Sequence, residues 1–507
     1  MDITLKHQDC KLLESYIENI SEECVEADFS MPEYMPEILR IVKSVAEPKV
    51  LSCRVTGDRV TVDGTCLFKM IYTAEDGCIY TFSQERNFTR FCENSNVSDA
   101  IDIVARVNVS YVSCRATSTK RAEIKAGLNI TVVGYSVKNQ DIISLENKCD
   151  IEEKCVPVRC VSLGCRKTRT FSMSDTITLG RPSASVLSSR AIAICNDTRK
   201  ISNKIMIKGD AVIEICYVNA DNKTITEHIR HTLPINQILE YDGMEERFSG
   251  EVVLNVASLE LIQKNDNDGK GTSFDISLSV DASATMWEEK ELLVITDAYS
   301  VNSCIDLKKS NYNFMCVPEY IKDISIYKEE ISLSNVAFSD VIDVNGEITR
   351  CDVKCENGVA LFYGTISVAA LVRDTNGDIV NFNKIIDFTY EKKNEDYLNT
   401  TKCIPDVKII SIEYMKKNDN TIDLRFEMKI CGELFQNISF DVVTDITESA
   451  IQVKKDRNAI TVYFPEKEES LWSIARKYNT TVYAIAQEND LSGETTEDLK
   501  IVFIPAV

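Results

Sequence analysis

The chain has 507 residues, of which 44% are hydrophobic, and a formal net charge of −22 at pH 7. This length predicts three or four domains with ordinary apolar cores. The acidic balance argues against nucleic acid and anionic membranes as partners, because no basic stripe is available to replace the counterions of a polyanion. The longest apolar stretch, residues 359–372, is interrupted by glycine, threonine and serine and predicts a buried strand rather than a membrane span.

The amino-terminal segment carries no basic region followed by an apolar run, so we expect no secretion signal and a soluble, intracellular chain. Within residues 1–19, Leu12, Leu13, Tyr16 and Ile17 recur near helical spacing. This spacing predicts a leading helix.

The body of the chain is an internal repeat whose copies align on three glycines, Gly64, Gly209 and Gly364, each set inside an apolar strand. Thirteen positions after each glycine stands a residue suited to a hairpin turn. These residues are Gly77, Asn222 and Gly377. Later apolar positions repeat in the same register, for example Cys114, Leu259 and Tyr414. The second copy gains seven residues near 266–271, which predicts a longer loop there.

The repeat period of about 150 residues is too long for a solenoid unit and favours whole domains in series. Alternating apolar positions dominate, so we predict three tandem antiparallel β-sandwich-like domains. Their predicted bounds are 20–148, 168–300 and 318–447. The more polar segments 149–167, 301–317 and 448–458 are predicted to be linkers.

Nineteen cysteines are present, but the chain contains no Cys-x-x-Cys pair. Many lie inside apolar strands, where a free thiol behaves as a small hydrophobic group. This usage indicates a reducing compartment. The cluster Cys149, Cys155, Cys160 and Cys165 is a candidate zinc site, with Cys351 and Cys355 second to it. Its wide spacing favours structural thiols instead.

Catalytic patterns are scarce, and we expect neither an enzyme nor a bound cofactor or metal. The three histidines are His7, His228 and His231, and the last two lack the spacing of a zinc-protease helix and predict a pair on a strand surface. The segment 266–269 is similar in sequence to part of a calcium-binding loop, but Lys264 would occupy the first ligand position. A solvated hairpin loop is the favoured interpretation.

Residues 458–507 predict a small domain with the order strand, helix, helix, strand. Ile460, Val462 and Phe464 alternate before Pro465 ends the first strand. Ser470 is the predicted N-cap of a helix with the apolar stripe Leu471, Ile474, Ala475 and Tyr478, which Asn479 closes. Thr480 or Thr481 caps the second helix, and 501–504 form the returning strand.

Two family resemblances rest on these segments. The terminal segment, with Ser470-Leu471-Trp472 and Asn489-Asp490-Leu491, resembles a LysM module, which would pair its strands and pack both helices on one face. The first repeat runs through Pro32-Glu33-Tyr34-Met35-Pro36-Glu37-Ile38 and resembles the SPOCS repeat of spore-coat proteins. Copies two and three keep only the strand that leads in.

The combination resembles coat morphogenetic proteins of anaerobic endospore formers. That resemblance implies a non-enzymatic scaffold for coat assembly and encasement in the mother-cell cytoplasm, at the forespore surface. It implies that the LysM module binds the ATPase of the coat basement layer, stage four sporulation protein A. The alternative is a cell-wall protein whose LysM module binds peptidoglycan or N-acetylglucosamine.

The LysM segment departs from the glycan-binding pattern, which has Gly-Asp-Thr before the first helix and Pro-Gly before the last strand. Glu468-Glu469-Ser470 and Asp498-Leu499 stand there instead. We therefore predict a protein contact centred on Leu471, Trp472 and Ile474, because aromatic residues dominate such contacts. For Leu471 and Ile474 a purely structural role in the helix core is an equal alternative.

Overall fold

The fold is mainly β, as the alternating pattern predicts. The computed structural model describes residues 3–505 with internal gaps. The gaps are at 58, 94–99, 147–149, 223–224, 241–247, 317–319, 334–336, 396, 399, 450–459, 467–468 and 492–500.

The first copy forms two three-stranded antiparallel sheets, in the orders β1-β6-β5 and β2-β3-β4. The strands are β1 (Leu5–Ser30), β2 (Arg40–Thr56), β3 (Arg59–Thr73), β4 (Ile79–Glu93), β5 (Ala100–Ser118) and β6 (Arg121–Leu145). The Pro32–Ile38 signature lies between the two sheets, where Ile38 enters the core.

The second copy is built from five strands in the order β10-β11-β7-β8-β9. They are β7 (Ile151–Ile201), β8 (Lys204–Asn219), β9 (Thr226–Glu240), β10 (Phe248–Asn265) and β11 (Gly271–Ser300). Strand β7 pairs first with β11 and then with β8, so it continues without a break through both halves of the copy. The predicted longer loop lies between β10 and β11.

The third copy has one sheet of order β14-β15-β16 and a second in which β18 pairs with β12, β13 and β17. The strands are β12 (Ile305–Cys316), β13 (Tyr320–Ser332), β14 (Phe338–Glu356), β15 (Val359–Asp374), β16 (Ile379–Lys393), β17 (Thr401–Asn418) and β18 (Thr421–Glu448).

Each copy buries one apolar core between its sheet halves, because alternate residues of every central strand face inward. The three aligned glycines lie in the middle strands β3, β8 and β15. A β-bulge lies close to each of them in the preceding strand, directly after Val50, Cys195 and Ile348. A side chain at the glycine would overlap the backbone carbonyl of that strand. The repeated glycine therefore marks a repeated close approach of two backbones.

The predicted helix over residues 1–19 is wrong, since β1 begins at Leu5 and pairs with β6 back to Leu145. Leu12 and Leu13 are both fully buried. A strand beside β6 satisfies the backbone hydrogen bonds of this segment and covers its apolar side chains against other copies. Helical spacing over such a short run could not exclude this arrangement.

The predicted linkers are also wrong over their described residues, because 151–167 and 305–316 are strands. They pair with the last strand of the copy that follows them: Ile151 pairs with Ser300, and Ile305 pairs with Glu448. Each copy therefore starts near 5, 151 or 305 rather than near 20, 168 or 318. The third segment, 448–458, lies outside the described residues beyond position 449.

These paired ends form three two-stranded ribbons, which we call the hub. The ribbons are residues 5–13 with 137–145, 151–163 with 287–300, and 305–316 with 436–448. Equivalent side chains from all three meet in shared buried clusters, for example Leu12, Cys160 and Phe314. Ile143, Ile295 and Val443 do the same in a second cluster. The copies are thus joined around a common apolar centre instead of being strung on linkers.

Candidate functional site

The carboxy-terminal module has the predicted element order. It comprises β19 (Ile460–Tyr463), α1 (Leu471–Lys477), α2 (Val482–Glu488) and β20 (Val502–Pro505). The two strands pair antiparallel, with Val462 opposite Phe503. Each helix has seven residues, and none in the described part of the chain is long and apolar enough to cross a membrane.

The helix ends also follow the prediction. The Ser470 hydroxyl accepts a hydrogen bond from the backbone N–H of Ser473 at 3.2 Å, and Thr481 caps α2 through Ala484 at 3.0 Å. Asn479 adopts a left-handed conformation with φ of 50°. Local side-chain chemistry therefore defines both helices.

Leu471 and Ile474, two of the three predicted contact residues, lie in the core of the module with no exposed surface. They pack with Ala475, Ile485 and Val502. The geometry therefore agrees with the alternative prediction, that both side chains serve the core of the module. A partner cannot contact these two buried side chains directly, so they would affect binding through the fold that they stabilise. Their part in binding stays a prediction.

Trp472, the third predicted contact residue, is half-buried and lies against the hub. Its indole Nε1 donates a hydrogen bond of 2.9 Å to Oδ2 of Asp297, and its ring meets that of Tyr299 edge-to-face at 4.9 Å. Arg476, one turn further along α1, reaches the same carboxylate oxygen at 2.7 Å. The face of α1 that holds Trp472 is therefore engaged within the chain.

A second contact fixes the end of α1. The buried hydroxyl of Tyr299 donates a hydrogen bond of 2.8 Å to the carbonyl oxygen of Thr480. Tyr299 and Val301 belong to the same buried cluster as the core of the module. Sequence reasoning missed these hub residues, although Asp297, Tyr299 and Val301 alternate as one face of a strand should.

The outer face of the β19–β20 ribbon is an exposed apolar surface. Val462 is 52% exposed, Phe503 is 44% exposed and Phe464, just after β19, is 67% exposed. The sequence correctly placed Ile460, Val462 and Phe464 on one face, but that face points to solvent rather than to the helices. The helices instead cover Val502 and Ile504, which are buried.

Only one of the acidic groove positions falls on described residues. Both carboxylate oxygens of Glu469 accept from the hydroxyl of Tyr463, at 3.1 and 3.0 Å, and one accepts from the backbone N–H of Glu466 at 3.1 Å. The carboxylate thus closes the loop before α1. Glu468, Asp498 and Leu499 lie outside the described residues.

The candidate zinc ligands Cys155 and Cys160 both lie on β7. Cys155 and Cys160 lie on opposite faces of β7 and pack in different hub clusters. Cys149 lies outside the described residues, as does the side chain of Cys165. Burial raises the pKa of the Cys160 thiol to about 12 and that of Cys351 to about 12. All the described cysteines are free thiols, and these pKa shifts favour the neutral, structural form.

One group of possible ligands lies where the copies meet. The ligand atoms of Cys216, His228 and Asp343 all fall within 4.8 Å of one another. His228 Nε2 lies 2.7 Å from the carbonyl oxygen of Ile342, which suits a protonated nitrogen without a free lone pair. Asp343 accepts from Ser188 at 2.9 Å and from Asn345 at 2.8 Å.

A partly buried lysine, Lys43, interacts electrostatically with this group. Burial lowers the pKa of Lys43, and the charge of Asp343 is the largest influence that opposes that shift. Lys43, Ser188 and Asp343 occupy the same bulge in the three copies. The donor set therefore fits a charge-compensated junction better than a metal centre. His231 does not pair with His228; it contacts Asp175 at 2.8 Å.

Comparison with known families agrees with this architecture. Residues 37–117 match the family described as SipL, SPOCS domain, and residues 466–501 match the LysM domain. Neither a curated protein nor a solved structure matches the chain.

These matches support a sporulation-related coat protein that carries a LysM module. In particular, the chain combines a SPOCS domain with a carboxy-terminal LysM domain, as a SipL-like protein does.

Proposed function

We propose that the chain is a non-enzymatic scaffold of spore-coat assembly and encasement. Its LysM module would bind the ATPase of the coat basement layer, stage four sporulation protein A. It would act in the mother-cell cytoplasm, at the forespore surface. The observation that carries the proposal is the pairing of a SPOCS domain with a LysM module in one chain.

The surface of the module supports a protein partner. Its ribbon presents Val462, Phe464 and Phe503 to solvent, and contiguous exposed apolar side chains are typical of protein–protein contacts. The loop before α1, where glycan-binding modules have Gly-Asp-Thr, is closed by the carboxylate of Glu469 on Tyr463. The carboxylate of Glu469 is therefore already hydrogen-bonded within the loop that would contact a sugar.

The rest of the molecule supports a structural role. The three copies are joined by buried apolar side chains of the hub. Strongly raised pKa values at buried thiols such as Cys160 disfavour nucleophilic chemistry. The repeats would therefore serve as a platform that binds other coat proteins or further copies of the chain itself.

Two binding assays on the full chain separate the proposal from its alternative. The purified chain is mixed with the purified ATPase in one assay and with peptidoglycan sacculi in the other. The proposal expects saturable binding to the ATPase and no sedimentation with sacculi. Sedimentation with sacculi, without binding to the ATPase, would establish the glycan-binding alternative.

A further inference from the structure

The end of strand β11 forms a surface that receives the LysM module. Asp297, Tyr299 and Val301 alternate along one face of this segment, after the hub ribbon has contributed Ile295 to the shared core. The carboxylate of Asp297 is only 15% exposed. It is held between Trp472, Arg476 and Lys309, at 2.9, 2.7 and 3.2 Å.

This surface is specific in its chemistry. A buried carboxylate between two cations and an indole N–H makes charge-assisted hydrogen bonds, which are stronger than neutral ones. The aromatic pair of Tyr299 and Trp472 adds an edge-to-face contact. The buried bond from Tyr299 to Thr480 fixes the position of the turn that joins the two helices.

Among the described residues, only those of the second copy form this surface. The third copy has the same bulge and an aspartate after it, Asp445, whose carboxylate accepts from the backbone of Ile446. Thr447 stands there in place of Tyr299, and the first copy ends on Leu145. Equivalent positions of the three ribbons form the rest of the hub. The difference at this position therefore gives the described part of the hub a single docking surface, which matches the single LysM module.

We propose that this hub surface is a binding site for the α1 face of the LysM module and competes with its protein partner for Trp472. The inference rests on the proposed function, because the partner is the one assigned there. A partner that contacts Trp472 must first separate it from Asp297. The module therefore binds its partner only in the undocked state. The apparent association constant for the partner is the intrinsic one multiplied by the fraction of undocked chains.

The test measures binding of the full chain to the purified ATPase after changes in the hub only. Tyr299→Phe removes one buried hydrogen bond, and Asp297→Ala removes the carboxylate. Leu293→Ala, on the same strand and 61% exposed, is the control. Loss of one hydrogen bond corresponds to roughly a fivefold shift in the docking equilibrium. We expect Tyr299→Phe to bind the ATPase up to about fivefold more tightly, Asp297→Ala more tightly still, and the control as wild type.

Hydrogen exchange of α1, measured without the partner, reports docking independently of binding. Faster exchange in the Tyr299 and Asp297 variants together with tighter binding supports the inference. Faster exchange with unchanged or weaker binding overturns the competition and leaves the proposed function intact. Unchanged exchange in both variants overturns the docking itself. Absence of ATPase binding by every chain, wild type included, overturns the proposed function and the competition with it.

Discussion

The indole of Trp472 and the carboxylate of Asp297 are joined by a hydrogen bond of 2.9 Å, although 175 positions separate them in the chain. This bond ties the terminal module to the hub of the second copy. It also means that the aromatic side chain best suited to a partner is already in use. Loss of this hydrogen bond should therefore change the dimensions of the whole protein.

The first prediction concerns pH. Burial alone would raise the pKa of Asp297, but hydrogen bonds from Trp472 and Lys309 and the charge of Arg476 outweigh it, so the pKa is lowered. Trp472 and Arg476 lower this pKa only in the docked state, so their stabilisation of docking is present above the undocked pKa and is lost as the pH falls through the docked pKa. We expect the module to separate as the pH falls below about 4.

Small-angle scattering of the full chain measures that separation as an increase in the maximum dimension. Circular dichroism checks that the sheets persist over the same pH range. Asp297→Asn cannot titrate and should give dimensions that do not change over that range. A wild-type chain that also keeps constant dimensions would contradict the role of Asp297.

The second prediction concerns the hub. Phe314 is fully buried among side chains of all three copies. Phe314→Ala leaves a cavity there and should cost about 3–5 kcal/mol. Ile324→Ala, at a side chain that is 66% exposed, should stay within about 0.5 kcal/mol. Thermal unfolding compares the two, and equal melting temperatures would mean that the segment acts as a linker after all.

A third prediction follows from the repeated glycine. A Cβ at Gly364 would overlap the carbonyl oxygen of Arg350 and lie 2.9 Å from the ring of Phe388. Gly364→Ala should therefore destabilise the third copy by about 1–3 kcal/mol. Gly180 lies in a strand with open space around its Cα, so Gly180→Ala should be neutral. Chemical denaturation measures both, and a tolerated Gly364→Ala would remove the physical reason for the repeat.

The junction between copies yields a fourth prediction. Lys43→Met removes a partly buried lysine whose charge interacts favourably with Asp343, and should destabilise the protein. Asp343→Asn in the same chain removes the partner charge and should restore most of the loss. Stability measured for the two single variants and the double variant gives the coupling. Strictly additive losses would show that the two charges do not compensate each other.

Local signals predicted the terminal module well. Ser470, Asn479 and Thr481 fix the helix ends through neighbours a few positions away, so a single sequence contains the information. The glycine register likewise located the three copies, because a close backbone approach recurs at a fixed point in each. Both features depend on short segments.

The hub could not be predicted in the same way. Leu12 and Leu13 gain their burial from strands more than a hundred positions away, and a short apolar run does not distinguish helix from strand. Residues 151–167 resemble a linker in sequence because one face of this ribbon is exposed to solvent and carries polar side chains. The docking surface at Tyr299 depends on that hub and was missed with it.

Full-length variants locate the contact between the LysM module and the ATPase. Trp472→Glu puts a carboxylate on the α1 face, Phe503→Glu puts one on the exposed ribbon, and Tyr483→Glu, at a side chain that is 74% exposed on α2, is the control. Binding of each to the purified ATPase is measured, with circular dichroism to confirm folded repeats. We expect Trp472→Glu to abolish binding and the control to bind as wild type. Retained binding by Trp472→Glu, with loss in Phe503→Glu, would place the contact on the ribbon and contradict this expectation.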